Sequence, residues 1–241
     1  MHSSKPILAI NFKAYYPHSF GEHALNIARA AVKVLEELRD ISIILAPPFT
    51  ELNRIIREVR DKDIKVYAQH ADPVEPGPVT GYIPIEGLRE LGVDGVILNH
   101  SEHKLRLSDL FFLIKKARAL GLEVLVCADE PEIGASVAAL NPDMIAVEPP
   151  ELIGTGISVS KAKPEVITKS VELISKVNQR VKILTGAGIS TGEDVYAAIK
   201  LGTVGVLVAS AIVKAKDPYA VIREMALNAI KASRETHLST H

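Results

Sequence analysis

A lysine, a histidine and a glutamate, each placed just after a short apolar run, are the residues of this chain best suited to chemistry. Lys13 stands in Asn11-Phe12-Lys13, and His100 in Asn99-His100-Ser101-Glu102-His103. Glu148 begins Glu148-Pro149-Pro150-Glu151-Leu152-Ile153-Gly154-Thr155-Gly156. A carboxylate, an imidazole and an ammonium are the groups needed to abstract a proton next to a carbonyl. The carboxylate takes the carbon-bound proton, the imidazole donates to the developing enolate oxygen, and the ammonium stabilises its charge. Each residue also has a plainer reading when taken alone. Lys13 reads as a solvated loop lysine, His100 and Glu102 as loop caps, and Glu148 as an ion-pair partner. The chemical reading gains weight only if one fold brings the three together.

The elements needed to do so are legible as an alternation. Apolar, mostly β-branched or leucine-rich runs at residues 7–12, 42–46, 64–68, 95–98, 122–127, 144–147, 181–184 and 204–208 read as strands buried on both faces. Amphipathic stretches at residues 20–38, 51–60, 85–91, 108–120, 131–140, 164–179, 192–201 and 218–231 read as helices. Ser190 with Glu193 has the spacing of a capping box, and Asp217-Pro218 sets a capping side chain before a proline. Gly92, Gly121 and Gly202 each follow a leucine where a helix should stop. Strict strand–helix alternation over 241 residues leaves a closed (β/α)8 barrel or an open doubly wound sheet. The absence of any Ser/Gly/Pro-rich linker favours the barrel, as one domain over residues 1–241. Its core covers about residues 5–231, with a fraying tail at 232–241.

In either architecture the working face lies beyond the C-terminal strand ends, where Lys13, His100 and Glu148 all fall. The glycine-bearing loops there, with Thr185-Gly186-Ala187-Gly188 after strand 7 and Ala209-Ser210-Ala211 after strand 8, suit close approach of backbone N–H groups to a phosphate. A tight turn is the plainer alternative. A dinucleotide fingerprint is rejected because position 191, where its third glycine would stand, is Thr191. His100 and His103 have no evident third ligand, so no metal is expected.

Composition narrows the remaining classes. There are 28 basic and 29 acidic side chains, so no global field recommends nucleic acid or an anionic membrane as a partner. Cys127 is the only cysteine, which excludes an internal disulfide. No apolar run approaches the roughly 20 residues of a membrane span, and a cytoplasmic setting is expected.

The motifs Asn11-Phe12-Lys13, Asn99-His100-Ser101-Glu102, Ala146-Val147-Glu148-Pro149 and Ile153-Gly154-Thr155-Gly156 resemble those of the triosephosphate isomerase family, in order and over nearly the whole chain. Residues 181–189 and 205–210 look like the shorter, archaeal branch. The resemblance implies interconversion of dihydroxyacetone phosphate and glyceraldehyde 3-phosphate, in glycolysis and gluconeogenesis, without metal or organic cofactor. It implies Glu148 as base, His100 as electrophile, and Asn11 and Lys13 as substrate contacts. Ile153, Gly154, Gly188, Ala209 and Ser210 would hold the phosphate, and Glu102 would position the lysine. It also implies a lid, entered through Pro149-Pro150 and left through Gly154 and Gly156, and a homo-oligomer, a tetramer rather than a dimer. Two departures stand out: the chain has no tryptophan for the lid, and Thr185-Gly186-Ala187-Gly188 replaces the family's Tyr-Gly-Gly-Ser. Another phosphosugar barrel, an epimerase or aldolase, is the alternative enzyme, although Lys182 lies at the wrong strand end for a Schiff base. A barrel serving only as a binding module should have lost Lys13, His100 or Glu148.

Overall fold

The computed structural model describes residues 5–149 and 163–238. Its strands are β1 (Ile7–Asn11), β2 (Ser42–Ala46), β3 (Ile64–Ala68), β4 (Gly95–Leu98), β5 (Glu123–Ala128), β6 (Met144–Val147), β7 (Lys182–Thr185) and β8 (Gly205–Val208). Each is parallel to the next, and β8 returns to β1 with Ile10 opposite Val208, so the sheet closes. The open doubly wound alternative is thereby excluded.

Closure gives every strand two buried faces, which is why the strands show no polar alternation. Leu8 and Ile10 point outward into the layer beneath the helices. Ile7, Ala9, Ile44, Tyr67, Ile97, Leu125, Met144, Leu184 and Leu207 point inward and fill the barrel as a second, separate cluster. Tyr67 plugs the end where the strands begin, with its hydroxyl donating to Glu123 and Lys65 bridging to the same carboxylate at 2.6 Å. A Cβ at Gly95 would lie 2.7 Å from the Tyr67 ring, so only glycine leaves room for it.

The helices are α1 (Gly21–Glu37), α2 (Leu52–Glu58), α3 (Ile85–Leu91), α4 (Leu107–Ala119), α5 (Pro131–Ala138), α6 (Pro164–Val177), α7 (Gly192–Lys200), α8 (Ser210–Val213) and α9 (Pro218–Leu238). In α1 the buried residues Ala24, Ile27, Ala28, Ala31 and Val34 follow the three-and-four spacing of a single helical face. Gly92, Gly121 and Gly202 adopt φ of 95°, 70° and 104° at the expected stops, a region open to glycine at little cost. Asp217 Oδ1 accepts the Ala220 N–H at 3.1 Å, as its position before Pro218 suggests.

Two local expectations are corrected. The capping box is Thr191 with Asp194, not Ser190 with Glu193. Thr191 is the N-cap, its Oγ1 accepts the Asp194 N–H at 3.3 Å, and Asp194 Oδ2 accepts the Thr191 N–H at 3.0 Å. Helix α9 runs past Lys231 to Leu238 instead of fraying at 232, because Tyr196 donates to Glu235 and Arg234 pairs with Asp40 at 2.6 Å. The four-residue α8 follows β8 directly, ahead of α9.

Candidate active site at the barrel mouth

Side chains alternate along a strand, so each inward-facing series can be continued toward the C-terminal end. Ile7 and Ala9 lead to Asn11. Met144 and Ala146 lead to Glu148, Leu125 leads to Cys127, and Tyr67 leads to Gln69. The inward register thus delivers these polar groups to one mouth. Asn11, Lys13, His100 and Glu148 share a cavity of about 530 Å3, part of it open to solvent, with Gly186, Gly188, Ala209 and Ser210.

Glu148 is 2% exposed and His100 7%. Glu148 Oε1 lies 3.6 Å from His100 Nε2. Glu148 Oε2 is buried and has no N–H or O–H partner among the described residues. Burial raises the Glu148 pKa to about 7, against the opposing pull of the buried Cys127 thiol and the Lys13 ammonium. A carboxyl poised near neutrality is suited to take a proton and give it back. Gly186 makes room for it, since a Cβ there would stand 2.5 Å from Glu148 Cγ.

The His100 tautomer follows from its neighbours. Its Nδ1 accepts the Glu102 N–H at 3.1 Å, so the proton of the neutral ring sits on Nε2, the nitrogen turned toward Glu148. Burial, with the Lys13 charge second, lowers its pKa to about 4. The ring is therefore a neutral hydrogen-bond donor at physiological pH.

Lys13 lies beyond the end of β1 with φ of 50°, an uncommon conformation for a residue with a side chain. Its N–H donates to Asn11 Oδ1 at 2.9 Å, and its Nζ reaches Glu102 Oε1 at 2.6 Å. Glu102 thus links the histidine and the lysine, through its N–H and its carboxylate. Asn99, with φ of 59°, shapes the same loop by donating to Cys127 O and accepting from Leu105 N.

Opposite these groups, the N–H groups of Gly188, Ala209 and Ser210 make no hydrogen bond to another backbone group among the described residues. N–H groups without backbone partners, lining a cavity whose one lysine among the described residues is Lys13, suit a small dianion. The cavity therefore gathers Lys13, His100, Glu148, Asn11, Gly188, Ala209 and Ser210, with Glu102 joined to two of them. Ile153, Gly154 and the rest of the expected lid from Pro150 onward lie outside the described residues.

Two contributors were missed in the sequence. Cys127, which looked uninformative, lies under Glu148, and Gln69 after β3 donates to both Asn11 Oδ1 and Lys13 O. The signal for both was the two-residue register from Leu125 and Tyr67, carried on past the apolar run. Lys182 begins β7 at the opposite end of the barrel, near Lys65 and Glu123, which removes the Schiff-base alternative. Among the described residues, no group of three or more His, Cys, Asp or Glu side chains is arranged to hold a metal ion.

Fold and site together define a class: a (β/α)8-barrel protein with a buried carboxyl and imidazole set beside a rim of small residues at the strand ends. Comparison with known proteins makes the assignment particular. The description of the triosephosphate isomerase family matches residues 6–226. Triosephosphate isomerase of Caldivirga maquilingensis is 53% identical over 221 residues, covering 92% of this chain and 96% of its own. Those of Methanocaldococcus jannaschii and Saccharolobus solfataricus are 49% and 45% identical, over 91% and 94% of this chain and 98% and 97% of theirs. The chain belongs to the triosephosphate isomerase family.

Proposed function

We propose that this protein interconverts dihydroxyacetone phosphate and D-glyceraldehyde 3-phosphate, with Glu148 as the base, His100 as the electrophile and Lys13 as the electrostatic stabiliser. The observation that carries the reading is the pairing of a buried carboxyl near neutrality with a neutral imidazole 3.6 Å away, its proton on the facing nitrogen. Glu148 removes the proton from the carbon beside the carbonyl. The enediolate oxygen that results accepts a hydrogen bond from His100 Nε2, while Lys13 offsets its charge. Glu148 then returns the proton to the neighbouring carbon, and one proton passes between the two oxygens. One C–H bond breaks and another forms, so atoms and electrons balance within the substrate and the chemistry calls for no cofactor.

Asn11, Gly188, Ala209 and Ser210 bind the substrate, the last three at its phosphate, with Ile153 and Gly154 added from the lid. Glu102 positions Lys13. The near-zero net charge supports a local origin for the attraction, in Lys13 and the rim N–H groups. A homotetramer is the assembly we favour, supported by Leu107 and Phe111 on one face of α4 and Ile133 on α5, which are 55%, 56% and 46% exposed. A cytoplasmic setting, with a role in glycolysis and gluconeogenesis, fits this reading; no helix among the described residues is long and apolar enough to cross a membrane.

A coupled assay on the purified protein tests the reading, with Glu148→Gln as the control. The wild type should turn over both triose phosphates, and Glu148→Gln should lower kcat by at least about 100-fold with the fold intact. Near-normal turnover by the variant would overturn the assignment of the base.

A further inference from the structure

Strand β3 supplies no reacting group, yet the two residues after it hold two of the three loops that do, those of Lys13 and His100. Gln69 is half-buried, and its Nε2 donates to three oxygens on neighbouring segments: Ala46 O at 2.9 Å, Lys13 O at 3.1 Å and Asn11 Oδ1 at 3.3 Å. The last two belong to the loop that holds Lys13 in its left-handed conformation. Such a conformation persists only where its surroundings over-determine it. The next residue, His70, is buried and stacks its ring on that of His103, with centroids 3.8 Å apart and planes 18° from parallel. His103 is tied to the catalytic loop by its N–H, which donates to His100 O at 2.8 Å.

Within its own loop His70 is held by Asp72. His70 Nε2 sits 3.4 Å from Asp72 Oδ1, and Asp72 Oδ2 accepts the Ile83 N–H at 2.7 Å, closing the loop after β3. Burial and the neighbouring His103 keep His70 below its ordinary pKa, so a neutral ring enters the stack.

We propose that Gln69 and His70 are positioning residues that together form a bracket, Gln69 gripping the Lys13 loop and His70 the His100 loop, which sets the lysine relative to the imidazole. The proposal rests on the isomerase reading and deepens it. Neither residue touches the reacting atoms. Gln69 acts through the Lys13 backbone, and His70 acts through His103.

Steady-state isomerase kinetics and melting temperatures of Gln69→Met, His103→Ala and His103→Phe test the bracket. Methionine matches the length of glutamine without its donor, while phenylalanine keeps a ring to stack without its nitrogens. Gln69→Met should lower kcat/KM by at least about tenfold, chiefly through KM, because a misplaced Lys13 holds the substrate less well. His103→Ala should lower kcat several-fold with little change in KM, and His103→Phe should recover most of that loss. Kinetic constants within twofold of wild type for both Gln69→Met and His103→Ala would overturn the proposal. So would a His103→Phe variant no better than His103→Ala. Should Gln69→Met fail to fold, the His103 pair, on an exposed loop, decides the matter. A wild type without isomerase activity would defeat the functional reading itself, whereas an active wild type with unaffected variants would defeat only the bracket.

Discussion

Glu148 Oε1 and His100 Nε2 face each other across 3.6 Å, and burial moves their proton affinities in opposite directions. The carboxyl rises to about 7 and the imidazole falls to about 4. An ordinary glutamate and histidine so close would form a charged pair, the acid ionised and the ring protonated. Here desolvation penalises both charges, so the ring stays neutral while the carboxyl ionises only near neutrality.

The first consequence is in the pH dependence of catalysis. Proton abstraction requires ionised Glu148, so kcat/KM should fall on the acid side of about pH 7. The substrate's own second phosphate ionisation, near about 6, steepens the decline further down. His100 adds no limb until about pH 4. The profile of kcat/KM for the free enzyme checks this, and an acid limb at the phosphate value alone would contradict it.

Stability should carry the same signature with compensating signs. Glu148 holds its proton more tightly folded than unfolded, so its ionisation removes stability as pH rises from about 4.5 to about 7. His100 holds its proton less tightly when folded, so stability is lost as pH falls from about 6.5 to about 4. The two nearly offset one another where the windows overlap. Relative to wild type, Glu148→Gln should gain melting temperature as pH is raised through its window. His100→Gln should gain it as pH is lowered through the other. Melting curves across pH 4 to 8 test both, and parallel curves for all three proteins would refute the linkage.

Lys13→Met should cost about 10²–10³ in kcat/KM, the range for removing a preorganised charge-stabilising group. The fold should hardly notice. The partner Glu102 has a side chain 58% exposed, and an ion pair with one end in solvent contributes only about 0–1 kcal/mol. Kinetics beside calorimetry separate the two effects; full activity would remove the lysine from the site.

Gly186→Ala probes the space around the base. The new methyl would meet Glu148 Cγ at 2.5 Å, and β7 cannot retreat because it is paired with β6 and β8. The carboxylate should shift instead, and a displacement of about 1 Å is enough to lower kcat up to about 100-fold. Unaltered kcat, with a crystal structure showing Glu148 in place, would refute this.

Much of this was legible in advance because the chemistry interrupts an apolar pattern. Glu148 follows four buried residues of β6, and a charge at the end of such a run is costly unless it is used or paired. Lys13 and His100 were visible for the same reason. The glycine-bearing loops after β7 and β8 suited a phosphate, but a tight turn explained them as well, and only the family resemblance singled out Gly188, Ala209 and Ser210. Gln69 was harder to see. A glutamine after β3 has no chemistry of its own, and its importance lies in three acceptors from two other segments. Cys127 was passed over because a buried cysteine reads as a small apolar residue. The capping box missed its true position by one residue, since Ser190-Thr191 offers two hydroxyls and the choice depends on where α7 begins.

By itself, then, the amino-acid order determined the number and succession of the strands, and the kinds of group standing at their ends. Those follow from local forces: the two-residue alternation of a strand, the stop at a glycine, the cost of burying a charge. The tertiary structure alone decided what those groups became. The assembly of the strands into one barrel brought Lys13 within 2.6 Å of Glu102, 89 residues away, and the pairing of β3 with β4 stacked His70 on His103. It also dried the space around Glu148 and His100, and the proton affinities that suit them to their task arise from that exclusion of water.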